Sequence, residues 1–349
     1  MSKKNKKGHL RLLIVVASAA VFIFLVLSAL VLGIYKFNWD NRLMQITEKI
    51  IPFPAVYIKG AGIIPVGEMK EDEKSVQKFY ESQDFEKLGM RIDFSTDQGK
   101  KRLKVKEKEI LNKLIENKVI ESLAKKRKIY ISDSTIDQEV DSNIEQFGNR
   151  QNLMSELARL YGWTLDDFKQ KVVKPEMYAE KLTEAFESET DTSVQKDKID
   201  SLYERVAAKK EDFSKVAAET SEGQSSENKG DLGWSTKDQL IPELAEVAFS
   251  MKPGDVSGAI ESPLGFHIIK LEEKKSDNGE DLVHLRQIFV KKTTFSDWLK
   301  DETKKDQVFV FISGYQWSAN NARIEFSNAD LRQFEDNLEA NSEGDPSIF

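Results

Sequence analysis

The sequence predicts an α+β protein: one membrane-spanning helix at the N-terminus, a mainly helical region, and a small antiparallel sheet flanked by helices. Three observations carry this. Leu12 to Tyr35 contains no charged residue. Apolar residues recur at three- and four-residue spacing between 106 and 187, and apolar–polar alternation with glycine punctuation takes over beyond residue 230.

Taken from the N-terminus, Lys3, Lys4, Lys6, Lys7 and Arg11 form a basic cap without an acid (residues 1–11). The 24 uncharged residues from Leu12 to Tyr35 make roughly 36 Å of helix, enough for a hydrocarbon layer of roughly 30 Å. A cleaved signal peptide is the rival reading. Its apolar core is shorter and ends at a small-residue cleavage site, whereas here Ser28-Ala29 is followed by further apolar residues. The length favours a retained single-pass anchor in the cell membrane (12–35). The basic cap orients the N-terminus to the cytoplasm and the following domains outside it.

The formal charge of −7 divides unevenly: beyond the cap, 47 bases face 59 acids, a body of −12. Such a body repels nucleic acid, so no nucleic-acid partner is expected. The absence of cysteine excludes disulfides, thiolate metal sites, cysteine nucleophiles and a cysteine-linked lipid anchor. Only His9, His267 and His284 offer imidazole chemistry, and no ligand cluster calls for a metal or a cofactor.

Residues 36–105 read as a stalk with a short strand pair, Ala55–Ile58 and Ile63-Ile64, around Gly60-Ala61-Gly62, with a polar break at Gly99–Arg102. In the helical domain (106–190), Ile110, Leu111, Leu114, Ile115, Val119, Ile120 and Leu123 mark one amphipathic helix. Ser132 or Asp133 caps a second, with Ile136, Val140, Ile144 and Phe147 on one face. A third holds Leu153, Leu157 and Leu160. Thr164 and Asp167 form a capping pair, and Pro175 starts or kinks the last helix. The run Leu111–Ile129, then a capped helix, then Gly162-Trp-Thr-Leu-Asp-Asp-Phe168 resembles the N-terminal domain of SurA-type periplasmic chaperones.

Residues 191–275 change character. Two helices (Ile199, Leu202, Tyr203, Val206; then Phe213, Val216, Ala217) precede a polar loop, Gln224–Lys229. Then come Gly230-Asp-Leu-Gly-Trp234, Leu240-Ile-Pro-Glu-Leu244 through Phe249, Pro253-Gly-Asp-Val-Ser257 and Gly265-Phe-His-Ile-Ile269. This succession is similar to the parvulin-type (PpiC/rotamase) peptidyl-prolyl isomerases, and with the helical domain it resembles SurA/PrsA-like foldases. Alternation puts His267 and Ile269 on one strand face, Phe266 and Ile268 on the other.

The resemblance implies a cofactor-free isomerase acting on X–Pro bonds of unfolded or nascent exported polypeptides, and a chaperone for them. It implies His267 as a catalytic residue and Leu240, Leu244 and Phe249 as walls of a proline cup. Family members open with a histidine-bearing strand that is missing between Glu187 and Asp200. Val283–Val290 is a candidate to fill its slot through the loop Lys274–Glu280, closing the domain in a circularly permuted manner. Gln287 then stands in the place of the first catalytic histidine, and His284 faces the opposite side. Gly223 replaces a cysteine or aspartate, Leu240 a methionine and Leu244 a phenylalanine. For His267 a purely structural role in the sheet stays open beside the catalytic one. So does an alternative for the protein: a catalytically weak or inactive parvulin-fold scaffold that only binds unfolded chain. Residues 276–327 are expected to complete or extend the sheet, with Val308–Ile312 pairing Ala322–Phe326. The acidic segment 328–349 is expected to be a disordered tail.

Overall fold

The computed structural model describes residues 3–340 apart from 38, 40, 83–92, 145–147 and 278. The chain divides into two compact units: Met1–Leu182 with Lys300–Phe349, and Thr183–Leu299. The second unit is thus inserted into the first.

The first unit begins with α1 (Lys3–Tyr35). Within it Ser18–Tyr35 is the one stretch among the described residues that is long and apolar enough to cross a membrane. α2 (Arg42–Ile50) follows, its start fixed by the Asn41 side chain accepting from the Met44 N–H. β1 (Pro54–Ile58) and β2 (Gly62–Pro65) pair antiparallel. Gly60 and Gly62 take φ of +89° and +108° in the turn, a conformation only glycine adopts without cost.

α3 (Val66–Ser82) leads to α4 (Asp97–Lys126), which begins at a Thr96 cap. Gly99–Arg102 is therefore the first turn of a helix, not a polar break. Gly99 is there because the Asp93 carbonyl occupies the space of a Cβ. On α4, Leu111, Ile115, Val119, Ile120 and Leu123 are buried as their spacing requires. α5 (Asp133–Asn143, capped by Ser132) and α6 (Arg150–Leu160, capped by Asn149) come next. α7 (Leu165–Phe168) opens on a full capping box between Thr164 and Asp167. A π-turn, Lys169–Val173, joins it to α8 (Lys174–Glu189). Ile136, Val140, Leu153, Leu157, Val173 and Met177 form the core between these helices, with Ile144 and Trp163 against its edge. Phe147 lies outside the described residues.

In the second unit α9 (Ser193–Tyr203) and α10 (Phe213–Thr220) precede β3 (Asp231–Ser235). α11 (Pro242–Ser250) carries proline in its first turn, where a missing N–H costs nothing. Then come β4 (Ile260–Ser262), β5 (Gly265–Asp277), β6 (Glu280–Lys291) and α12 (Phe295–Lys304), the last crossing the unit boundary. The sheet order is β3-β6-β5-β4, every pair antiparallel. The loop expected at Lys274–Glu280 is instead mostly strand, because β5 and β6 stay paired out to Asp277 and Glu280.

Alternation sorts the two faces. Phe266, Ile268, Ile288 and Val290 pack against α9 and α10 through Ile199, Leu202, Phe213 and Val216. Ile269, Leu271, Val283 and Leu285 pack against α11 through Leu244 and Ala248.

Back in the first unit, β7 (Val308–Val310) pairs with β1, giving a three-stranded order β2-β1-β7. β8 (Tyr315–Ser318) and β9 (Arg323–Phe326) form a separate hairpin. Val308–Ile312 is therefore not the partner of 322–326, and neither strand extends the four-stranded sheet. α13 (Ala329–Ala340) replaces the expected disorder as far as Ala340. It is held because the buried Lys108 amine pairs with Glu335 and the Arg332 guanidinium bonds the Phe326 carbonyl at 2.7 Å. Residues 341–349 lie outside the described residues.

Candidate active site

The site sits on the α11 face of the four-stranded sheet, at the β4–β5–β6 end. Register sets it: His267 on β5 stands opposite Ile260 on β4 and Phe289 on β6, and Ile269 stands opposite Gln287. His267, Ile269, Gln287 and Phe289 thereby share one face.

His267 is only 3% exposed, and both ring nitrogens are engaged. Its Nε2 lies 2.7 Å from Ser262 Oγ, and its Nδ1 lies 3.1 Å from Gln287 Nε2. With the Gln287 amide donating to Nδ1, the Nε2–H donates to Ser262, whose hydroxyl bonds the Gly265 carbonyl at 3.3 Å. Ser262 Oγ also accepts the Leu264 N–H at 3.1 Å. Phe289 stacks on the imidazole at 4.7 Å between centroids. Burial pushes the His267 pKa down to about 4, with Glu243 and Lys292 as opposing smaller influences. The ring is neutral at physiological pH.

Beside it lies the apolar cluster of α11 and the sheet. Leu240, Ile241, Phe249 and Met251 stand half-buried at its edge, whereas Leu244 is 3% exposed and belongs to its centre. Leu240 and Phe249 can thus face a ligand. Leu244 turns from α11 down onto the sheet.

Gly223 closes the site from a third side. Its neighbour Glu222 donates its N–H to the Phe289 carbonyl at 2.8 Å, and Ser221 Oγ accepts the Phe289 N–H at 3.0 Å. A Cβ at Gly223 would meet the Phe289 ring at 3.4 Å, an ordinary contact, and its φ of −87° suits any residue. Sterics therefore do not require a glycine there.

His284 lies on the opposite face. Its Nε2 donates to Asp231 Oδ1 at 2.8 Å, its ring stacks on Trp234, and Arg286 bonds Asp231 Oδ2 at 3.1 Å. Burial raises the Asp231 pKa, but the Gly233 N–H and His284 outweigh it and the net shift is downward. This cluster fixes β3 on β6 and stays away from His267.

Ser262 and Phe289 have no counterpart among the residues singled out from the sequence. Phe289 was accessible to that reasoning, since it follows Gln287 by two on the same strand. Ser262 was not, because it reaches the imidazole only through the β4–β5 turn.

Residues 177–273 match the family model described as the PPIC-type PPIASE domain, or rotamase. The second unit holds a PPIC-type rotamase domain. The matched segment stops at Glu273, before β6. Yet β6 is the strand between β3 and β5 in the four-stranded sheet. It runs antiparallel beside β5.

The chain is related to chaperones and foldases of the SurA and PrsA types. It is 39% identical over 98 residues to "Chaperone SurA" of Pseudomonas syringae pv. tomato, covering 27% of this chain and 23% of that one. Against "Foldase protein PrsA" of Caldanaerobacter subterraneus subsp. tengcongensis it is 29% identical over 186 residues, 50% of this chain and 60% of that one. Against the protein of the same name from Geobacillus kaustophilus the figures are 31% over 190 residues, 49% and 65%. The matches thus span less than two thirds of each relative's own length. The crystal structure of PrsA from Bacillus subtilis aligns over 81% of this chain and 90% of that chain, at 18% identity and a TM-score of 0.20.

Proposed function

We propose that this chain is a membrane-anchored peptidyl-prolyl cis-trans isomerase and chaperone for exported, unfolded polypeptides. α1 would be the anchor, with the cytoplasm on its basic side and both folded units beyond the membrane. The observation that carries the reading is the His267–Gln287 pair beside the apolar edge of α11, within a rotamase domain.

Rotation about an X–Pro bond faces a barrier of ~18–20 kcal/mol because the amide loses its conjugation when twisted. No covalent bond need form or break. An apolar seat at Leu240 and Phe249 would take the prolyl ring and carry the amide out of water, where the less polar twisted form is favoured. His267 is spoken for at both nitrogens, so its part is positional: it orients the half-buried Gln287 amide toward the ligand. Removing about 5 kcal/mol of barrier would give roughly four orders of magnitude in rate.

The helical unit supports the chaperone half. A groove of about 530 Å³ is lined by Val76, Ile110, Leu114, Trp163 and Pro175 together with charged residues such as Glu68, Lys118 and Asp167, and Lys171 pairs with Asp72 in the same lining. An extended segment carrying both apolar and polar side chains suits such a mixed lining.

A second reading is favoured by the burial of His267 and Leu244: a rotamase fold that binds extended chain without accelerating isomerisation. An X–Pro tetrapeptide assay separates the two. Acceleration by the wild type, reduced at least tenfold in His267→Ala, is expected of the isomerase. A wild type that suppresses aggregation of an unfolded client but gives no acceleration would leave only the binding role.

A further inference from the structure

α2 turns one side into the folded unit and leaves an apolar stripe outside it. Met44 (1% exposed) and the carboxylate-bearing Glu48 (7%) turn into the first unit, where Glu48 pairs with Lys70 at 2.7 Å. Leu43, Ile46 and Ile50 are 68%, 49% and 75% exposed. Their spacing of three and four residues places them on a single stripe. Arg42 and Lys49, both exposed, flank one side of it. Just upstream Phe37 and Trp39 are also exposed, their rings stacked at 5.9 Å.

This stripe is held in a fixed relation to the end of α1. Gly33 and Ile34 are buried, and the Trp39 N–H bonds the Gly33 carbonyl at 2.9 Å. The Trp39 ring and the Met44 methyl cover Gly33 where a Cβ would be. Tyr35 Oη donates to the Pro54 carbonyl at 2.9 Å. The last turn of the helix that would cross the membrane is thereby fastened to the same body that carries α2. The linker from Tyr35 to Arg42 is also too short to take α2 more than about 25 Å from the end of that helix.

We propose that α2 lies on the membrane that α1 crosses, with Leu43, Ile46 and Ile50 sunk into the boundary between headgroups and acyl chains. The proposal rests on the reading of α1 as a retained anchor. An apolar stripe flanked by bases is the pattern of an interfacial helix. Arg42, and Lys49 beside its exposed partner Glu71 at 3.7 Å, can reach lipid phosphates while their stems lie along the apolar layer. The tryptophan at the helix end suits the same depth. α2 then seats the first unit on the bilayer rather than leaving it on a loose tether.

The cysteine-free sequence makes the test direct. Single variants Phe24→Cys, Leu43→Cys, Ile46→Cys, Ile50→Cys and Gln316→Cys of the full chain are spin-labelled and reconstituted in phosphatidylcholine/phosphatidylglycerol vesicles. Collision with oxygen is compared with collision with a water-soluble nickel chelate. The expected result is a several-fold higher oxygen-to-nickel ratio at 43, 46 and 50 than at 316, with 24 deeper still. Lipid-exposed 24 together with water-exposed 43, 46 and 50 overturns the proposal and leaves the anchor standing. Water exposure at 24 as well removes the anchor and the proposal together. Strong spin–spin broadening at 46 means that a second copy covers the stripe, and also overturns it.

Discussion

At the scale of single residues, His267 makes a prediction through its charge. Its folded pKa of about 4 lies below the 6.5 of the free imidazole. Between those values the unfolded chain binds a proton that the folded one does not, so stability falls as pH drops from 6.5 to about 4 and then levels. At about 1.4 kcal/mol per unit the loss attributable to this ring is roughly 3 kcal/mol. Urea unfolding of the wild type and His267→Gln across that range measures it. Equal pH slopes in the two proteins would show that the imidazole is not buried in its neutral form. The pairing with Gln287 was accessible in the sequence, because alternation and the family's strand order put both side chains on one face. Two residue-scale features were not. Leu244 matched a pocket position by motif, but its depth depends on how α11 rotates onto the sheet. Ser262 depends on a turn whose course no periodicity records.

Among the elements, β6 decides whether the rotamase sheet exists. It is bonded on both edges, to β3 and to β5, and Leu285 and Ile288 are fully buried on its opposite faces. Leu285→Ala is expected to cost about 2–5 kcal/mol, with hydrogen exchange accelerating across β3, β5 and β6 together. A loss confined to β6 would mean that the remaining strands form a sheet without it. Gly230 shows why the strand fits so closely: its φ is +81°, and a Cβ there would stand 2.5 Å from the Gln287 carbonyl oxygen. The helices of the first unit were legible because Thr96, Ser132, Asn149 and Thr164 all cap by a local rule. Of these four, Ser132 and Thr164 stood out beforehand. β7 was misassigned because two short apolar runs of similar pattern compete for partners, and pairing across the chain leaves no local mark.

For the whole molecule, α13 links the end of the described chain to its first unit. Composition argued for a solvated tail, since an acidic helix with no buried residue has no core of its own. Its stability comes from partners elsewhere: Lys108, buried on α4, and the Phe334 ring 5.6 Å from the Lys101 amine. Glu335→Ala leaves Lys108 buried without its counter-charge and is expected to cost about 3 kcal/mol. Unchanged hydrogen exchange along α4 in that variant would return the tail to solvent.

The insertion of one unit into the other also sets an order in time. β1 bonds β7 through Val56, Tyr57 and Ile58, and Lys59 reaches Gln307 across 248 positions. While the chain is being made, the rotamase strands are complete once Lys291 has emerged, whereas the outer edge of β1 still waits for residues 308–310. An open strand edge is a template for foreign pairing. Unlike a chain of consecutive domains, this protein must therefore carry an unfinished sheet through the synthesis of its whole second unit. The interval in which that edge stands open ends only when β7 arrives.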